Sequence, residues 1–190
     1  MGITIPRRHA SALAGTFGPL AIHRHEVMAA GASYPAFTLE LADWISVAAI
    51  TDEGQFVLVR QYRHGVDAVT IETAGGLVDP GEEPAAAAPR ELLEETGYAV
   101  ESLETLGWVH PNPALQANRC FLYLARGARR VGEPEGDEHE STEAVLMSAD
   151  DVRAAMQDGR ISHSIAVITL LRALAVAHEP WERPVRRLTR

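Results

Sequence analysis

Three glutamates near the middle of the chain, Glu91, Glu94 and Glu95, stand at i, i+3 and i+4. On a helix that spacing puts all three carboxylates on one face. Like charges so placed repel, and in the last turn before Gly97 they also oppose the helix dipole. A hard divalent cation that takes oxygen ligands reverses the sign of both costs. These residue types in this pattern therefore point to metal binding by carboxylate oxygens. For an EXXEE run alone, a solvated glutamate patch on a surface helix is the plainer reading. Gly76, Glu82, Arg90 and Gly97, at set distances from the trio, shift the balance toward chemistry.

Read from Gly76, the order is Gly76, five residues, Glu82, seven residues, Arg90-Glu91-Leu92, one residue, Glu94-Glu95, one residue, Gly97-Tyr98. This arrangement resembles the Nudix box, GX5EX7REUXEEXGU, where U is a bulky apolar residue. Every fixed letter matches, and only the last U departs, as Tyr98. The resemblance implies an α/β protein with the Nudix-type α/β/α sandwich. It implies Mg2+, with Mn2+ as a substitute, bound by Glu91, Glu94 and Glu95, and the Gly75 carbonyl as a further ligand. Arg90 is implied to pair with Glu82 and to orient the junction between loop and helix. Glu94, Glu95 and Arg90 thus enter the catalytic set.

The stretch 59–63 (VRQYR), followed by 72–79 (ETAGGLVD), resembles the ADP-ribose pyrophosphatase branch of that family. The branch usually reads VRQYR and then ELPAGLVD or ELPGGLVD, so Thr73-Ala74 replaces Leu-Pro here. Together the two resemblances cover about residues 44–147. They imply a hydrolase that cleaves the pyrophosphate bond of a nucleoside diphosphate linked to a group X, with ADP-ribose or a nucleotide sugar favoured. Two other functions share the box: a silent Nudix-fold nucleotide sensor, and an enzyme of non-nucleotide diphosphates. Sensors typically lose metal-ligand glutamates, and here all are retained.

Outside the box each candidate carries two readings. Arg60 and Arg63 suit forked bonds to phosphates, or are ordinary cations at a strand end. Glu72 suits a base or ribose, or an ion pair with one of these arginines. Asn112, Gln116 and Asn118, in the loop HPNPALQAN, suit a sugar or terminal phosphate, or satisfy their own turns. Glu138 and Glu140, in the acidic loop GDEHE, stand where the branch often places a catalytic carboxylate; a solvated loop is the other reading. His163-Ser164 suits a polar cap for the last helix, or a substrate contact.

The elements that must position these residues follow from pattern. Residues 44–50 and 56–60 read as strands about the turn Asp52-Glu53-Gly54, and 69–72 as a further short strand. A helix is expected over 84–96 with Gly97 as its stop. Pro89, inside it, predicts a kink or a late start near Ala86. Residues 105–109, 120–125 and 144–147 read as strands; 150–158 and 161–177 read as helices, divided by Gly159, with Ser148 or Asp150 as the first cap. The order predicts a mixed sheet with helices on its faces. Residues 1–42 are expected to form an N-terminal arm or small β sheet, with 1–20 partly disordered. The main domain is expected over 43–180, followed by a loose tail over 181–190.

Bulk properties bound the rest. The chain has 190 residues, 46% hydrophobic and 23% charged, as an ordinary globular protein has. A net charge of −9 argues against nucleic acid as a partner. One cysteine, Cys120, excludes an intrachain disulfide and suits a reducing compartment, so a cytoplasmic protein is expected. The first residues do not read as a signal peptide, and the longest apolar stretch, 165–177, is too short to span a membrane. The branch is commonly dimeric, which implies a homodimer.

Overall fold

The computed structural model describes residues 3–135 and 142–177. The chain divides into two compact units. The smaller takes residues up to Ala42 together with His110–Arg119; the larger takes Asp43–Val109 and the chain from Cys120 onward.

In the smaller unit β1 (Arg7–Phe17), β2 (Leu20–Ala29) and β3 (Ala32–Glu40) form an antiparallel sheet in chain order. The expected disorder of residues 1–20 is therefore corrected: an 11-residue strand runs through them. Its small residues carry little side-chain signal, but its backbone groups pair along β2 from Arg7↔Met28 to Phe17↔Leu20, with two register shifts. Gly18 closes that hairpin at φ +57. Across the sheet, the buried His25 ring meets Ser11 Oγ and Thr38 Oγ1, each at 2.7 Å. The 110–119 segment joins this unit through Leu39 N–H, which donates to the Leu115 carbonyl at 2.8 Å.

The larger unit is built on a six-stranded mixed sheet. Its strands are β4 (Trp44–Ile50), β5 (Phe56–Arg63), β6 (Ala68–Thr73), β8 (Ser102–Val109), β9 (Cys120–Arg126) and β11 (Thr142–Met147). The order is β11-β5-β4-β9-β8, with β6 also on β5; β4 and β9 are parallel and the other pairs antiparallel. A two-stranded ribbon of β7 (Tyr98–Ala99) and β10 (Arg129–Arg130) was not foreseen from sequence. Alternation divides the core. Val47, Val57 and Val59 pack on one face with Ala87, Ala88 and Leu92 of α1 (Pro84–Thr96). Ala48, Phe56 and Leu58 pack on the other with Val152 and Ala155 of α2 (Ala149–Asp158) and Ala166 and Leu170 of α3 (Ser164–Ala177). The result is the expected α/β architecture, helices on both faces of a mixed sheet.

α1 spans Pro84–Thr96 as expected and runs continuously through Pro89, without the late start near Ala86. Pro84 stands in its first turn, where a proline's fixed φ suits the helix and its missing N–H costs nothing. Several other boundaries differ by a few residues. α3 begins at Ser164 rather than at 161, because Ile161 N–H turns back to the Ala155 carbonyl at 2.9 Å. β11 begins at Thr142. Ser148 is the cap of α2, its Oγ accepting from Asp151 N–H at 3.1 Å. Among the described residues no helix is long and apolar enough to cross a membrane. The tail over 181–190 lies outside the described residues.

Candidate active site

The site is assembled where β6 ends. Beyond Thr73 the chain runs beside β4: Val47 N–H donates to the Ala74 carbonyl at 2.8 Å and Ile45 N–H to the Gly76 carbonyl at 2.9 Å. In extended backbone, successive residues direct their polar groups to opposite sides. With Ala74 and Gly76 committed to β4, the N–H and C=O of Gly75 face the other way. Gly75 N–H accordingly donates to Glu95 Oε2 at 2.8 Å.

Both glycines are required by close approach. A Cβ on Gly75 would lie 2.5 Å from the Ile45 carbonyl oxygen. A Cβ on Gly76 would lie 2.5 Å from Glu91 Oε1. The helix that carries the glutamates ends at Gly97, whose positive φ of 71 places its N–H 2.8 Å from the Leu93 carbonyl. Leu92 is wholly buried against the sheet, which directs its neighbours Glu91 and Glu95 toward the 74–77 segment.

Arg90 gathers the carboxylates. Its Nε and Nη2 donate to Glu82 at 3.1 and 2.8 Å, while Nη1 donates to Glu91 Oε1 at 2.9 Å and Glu94 Oε2 at 3.1 Å. Nη2 also reaches the Leu77 carbonyl at 3.3 Å. These carboxylates hold the guanidinium firmly protonated, Glu82 contributing most. Burial pushes the Glu91 carboxyl up, and the charges of Glu94 and Asp79 push it further, against the pull of Arg90. Hydrogen bonds from Arg90 hold Glu82 below its usual range.

Among the described residues no three acidic, histidine or cysteine side chains converge on one point as they stand. The cause is visible in the bonds: Arg90 holds Glu91 and Glu94, and the Gly75 amide holds Glu95. The donor set nevertheless suits a hard divalent ion. It consists of carboxylate oxygens on one helix face beside a glycine cradle with no room for a Cβ.

The arginines of β5 separate. Arg63 stands two and four residues from Gln61 and Val59, and so shares the α1 face; Arg60 shares the opposite face with Leu58. Arg60 Nη1 donates to Glu143 Oε2 at 2.9 Å. Arg63 clasps Glu72 through Nε and Nη2, each at 2.9 Å. Glu72 is buried, which raises its pKa. Bonds from His163, Arg63 and Thr70 outweigh that and hold it well below the usual carboxylate range. His163 Nδ1 thus contacts Glu72 Oε2 at 2.7 Å, a contact the sequence does not show, while its carbonyl accepts from Val167 N–H at 2.9 Å at the start of α3.

In the smaller unit, Gln116 and Asn118 line a cavity of about 610 Å3 with His23 and His25 among its walls. Asn118 Nδ2 donates to the Ala42 carbonyl at 2.8 Å, and its buried Oδ1 has no partner among the described residues. The Asn112 carbonyl accepts from Leu115 and Gln116 N–H at 3.0 and 2.9 Å, closing a turn. Glu138 and Glu140 lie outside the described residues.

A family model described as NUDIX domain matches residues 43–166, more than half of the chain. The chain belongs to the NUDIX domain family. It is 33% identical over 127 residues to a methanol dehydrogenase activator of Bacillus methanolicus, covering 66% of this chain and 69% of that protein. It is 29% identical over 136 residues to an ADP-ribose pyrophosphatase of Bacillus subtilis, covering 68% and 74%. A solved structure described as an ADP compounds hydrolase has the same fold, with a TM-score of 0.80 at 20% identity over 92% of this chain and 95% of that one. The likeness to the ADP-ribose pyrophosphatase branch read from 59–63 and 72–79 is thus found, and this Nudix protein is a pyrophosphohydrolase by family.

Proposed function

We propose that the chain is a Mg2+-dependent hydrolase of the pyrophosphate bond in ADP-ribose or a nucleotide sugar. The observation that carries this reading is the assembly of Glu82, Glu91 and Glu94 on Arg90, beside Glu95 on the Gly75 amide. Glu91, Glu94, Glu95 and the Gly75 carbonyl would hold Mg2+, or Mn2+ in its place. Bound there, the ion supplies charge neutralisation for the diphosphate and a more acidic water for attack on phosphorus. Arg90 collects the carboxylates of Glu82, Glu91 and Glu94 by hydrogen bonds before the ion arrives. Arg63, on the α1 face, is the favoured phosphate contact, with Arg60 as a second cation. Glu138 or Glu140 takes the proton from the attacking water. Products are a nucleoside monophosphate and the phosphate of X.

The sequence similarity to an ADP-ribose pyrophosphatase supports the choice of substrate. We further propose a cytoplasmic homodimer that engages neither nucleic acid nor membrane, in keeping with the net charge of −9. The test is a hydrolysis screen with Mg2+ over ADP-ribose, nucleotide sugars, dinucleoside polyphosphates and nucleoside triphosphates. ADP-ribose or a nucleotide sugar is expected to turn over fastest. Preference for a non-nucleotide diphosphate in a widened screen would displace the nucleotide reading.

A further inference from the structure

Gln61 places an amide where packing alone would favour an apolar side chain. It lies on β5 two residues beyond Val59, so its side chain shares the face that α1 covers. Val59 belongs there to one apolar cluster with Ala87, Ala88 and Leu92, and Ala144, opposite it on β11, packs against the same cluster. Gln61 itself is only 6% exposed. Among the described residues its side-chain amide has no hydrogen-bond partner. Yet the fully buried side-chain atoms left without a partner are Trp44 Nε1 and Asn118 Oδ1, and neither atom of the Gln61 amide is among them. The Gln61 stem is therefore buried, while the oxygen and nitrogen at its tip both touch solvent.

Two cross-strand neighbours fix where that tip stands. Gln61 faces Thr142 of β11 on one side and Thr70 of β6 on the other, and residues directly opposite on antiparallel strands share a face. Thr142 Oγ1 donates to the Glu95 carbonyl at 3.1 Å, which holds Thr142 against the last turn of α1. Thr70 Oγ1 donates to Glu72 Oε1 at 2.6 Å. Gln61 thus stands beside the helix turn that carries Glu94 and Glu95, its Cβ roughly 5 Å from that of Thr142. Both threonine hydroxyls spend their protons elsewhere, so neither donates to the amide oxygen.

A neutral donor suits this place chemically. A phosphate oxygen accepts and does not donate, so an amide NH2 can meet it directly. A lysine or arginine here would also pair with the glutamates, as Arg90 does, and would compete with a divalent ion for them. An amide holds a diphosphate without that competition. Resting on the diphosphate reading above, we infer that Gln61 is a substrate-binding residue: its Nε2 donates to a phosphate oxygen of the diphosphate at the acidic face of α1. The contact is made in the ground state, so its loss acts on KM more than on kcat.

The test uses the full chain with Mg2+ and compares wild type with Gln61→Met, whose unbranched apolar side chain keeps the buried stem and drops the amide. With ADP-ribose, Gln61→Met is expected to raise KM about tenfold, the worth of one hydrogen bond to a charged group, with kcat within about twofold of wild type and Tm not lowered. Binding is read separately from turnover. In 1H–15N spectra the Gln61 side-chain NH2 pair, identified as the one missing from Gln61→Met, should shift when inorganic pyrophosphate is added with Mg2+. An unchanged KM in an active enzyme overturns the inference, as does an NH2 signal that ignores pyrophosphate. A fall of Tm at unchanged KM does the same, since it marks a packing residue and nothing more. Should wild type hydrolyse no substrate, the hydrolase reading fails, and the response of the NH2 pair to pyrophosphate still decides whether Gln61 contacts a diphosphate.

Discussion

Gly76→Ala separates metal chemistry from folding more cleanly than a glutamate substitution does. The new Cβ would lie 2.5 Å from Glu91 Oε1, whereas ordinary contact begins at 3.4 Å, so the carboxylate must retreat by about 0.9 Å. That group is the far end of a flexible side chain, and its retreat strains no backbone. Stability should therefore change little, within about 1 kcal/mol. Metal coordination is far less forgiving, since ligand distances hold to within ~0.2 Å. A displaced ligand should weaken Mg2+ affinity by roughly 10- to 100-fold, the range seen when ligand orientation is lost. The assay is activity against Mg2+ concentration, with thermal unfolding measured alongside. A higher Mg2+ requirement at nearly unchanged Tm is expected. Half-saturation equal to wild type would refute the placement of Glu91 among the metal ligands.

Other outcomes follow from the same geometry. Gly75→Ala puts its Cβ 2.5 Å from the Ile45 carbonyl, which is sheet backbone, so it should lower Tm clearly where Gly76→Ala does not. Arg90→Ala removes the cation shared by Glu82, Glu91 and Glu94; a Tm loss of about 2–4 °C is expected without Mg2+, shrinking when Mg2+ is added. Glu72 is held below its ordinary pKa, so its contribution to stability is complete above the unfolded value of about 4.5 and fades as pH falls. Urea unfolding of wild type and Glu72→Gln should thus differ most near neutral pH and converge in acid. Burial pushes the Cys120 thiol up to about 12, so native protein should resist thiol reagents at pH 8 and react once unfolded.

What the chain declares and what it conceals divide by the range of the interactions involved. The helix carrying Glu91, Glu94 and Glu95 is legible because its spacing, its stop at Gly97 and its apolar Leu92 are all local. Gly76 is legible as the first fixed letter of the box and Gly75 as an implied ligand, yet the reason neither can carry a side chain is not. Only in three dimensions does each prove to lack room for a Cβ, one against Ile45 and the other against Glu91. β1 was missed because Gly and Ala give no side-chain alternation, while its stability comes from pairing with β2. The grouping of His110–Arg119 with the N-terminal sheet spans some seventy residues of chain and leaves no local trace. His163 is a similar case: its place at the start of α3 is legible, and its carbonyl accepts from Val167 N–H there, but its contact with a buried carboxylate ninety residues earlier is not. Arg60 and Arg63 look equivalent in the string VRQYR, and only the two-residue strand period, once the α1 face is known, sets them apart.

The account turns on whether the acidic face of α1 binds the metal that hydrolysis needs. Calorimetric titration of Mg2+ into wild type and Glu95→Gln, with ADP-ribose turnover measured on the same samples, asks this directly. Wild type should bind Mg2+ and hydrolyse. Glu95→Gln should lose most of the binding, and its turnover should fall by about 10²–10⁴-fold with the fold intact. Equal binding and equal turnover in the two proteins would contradict the account.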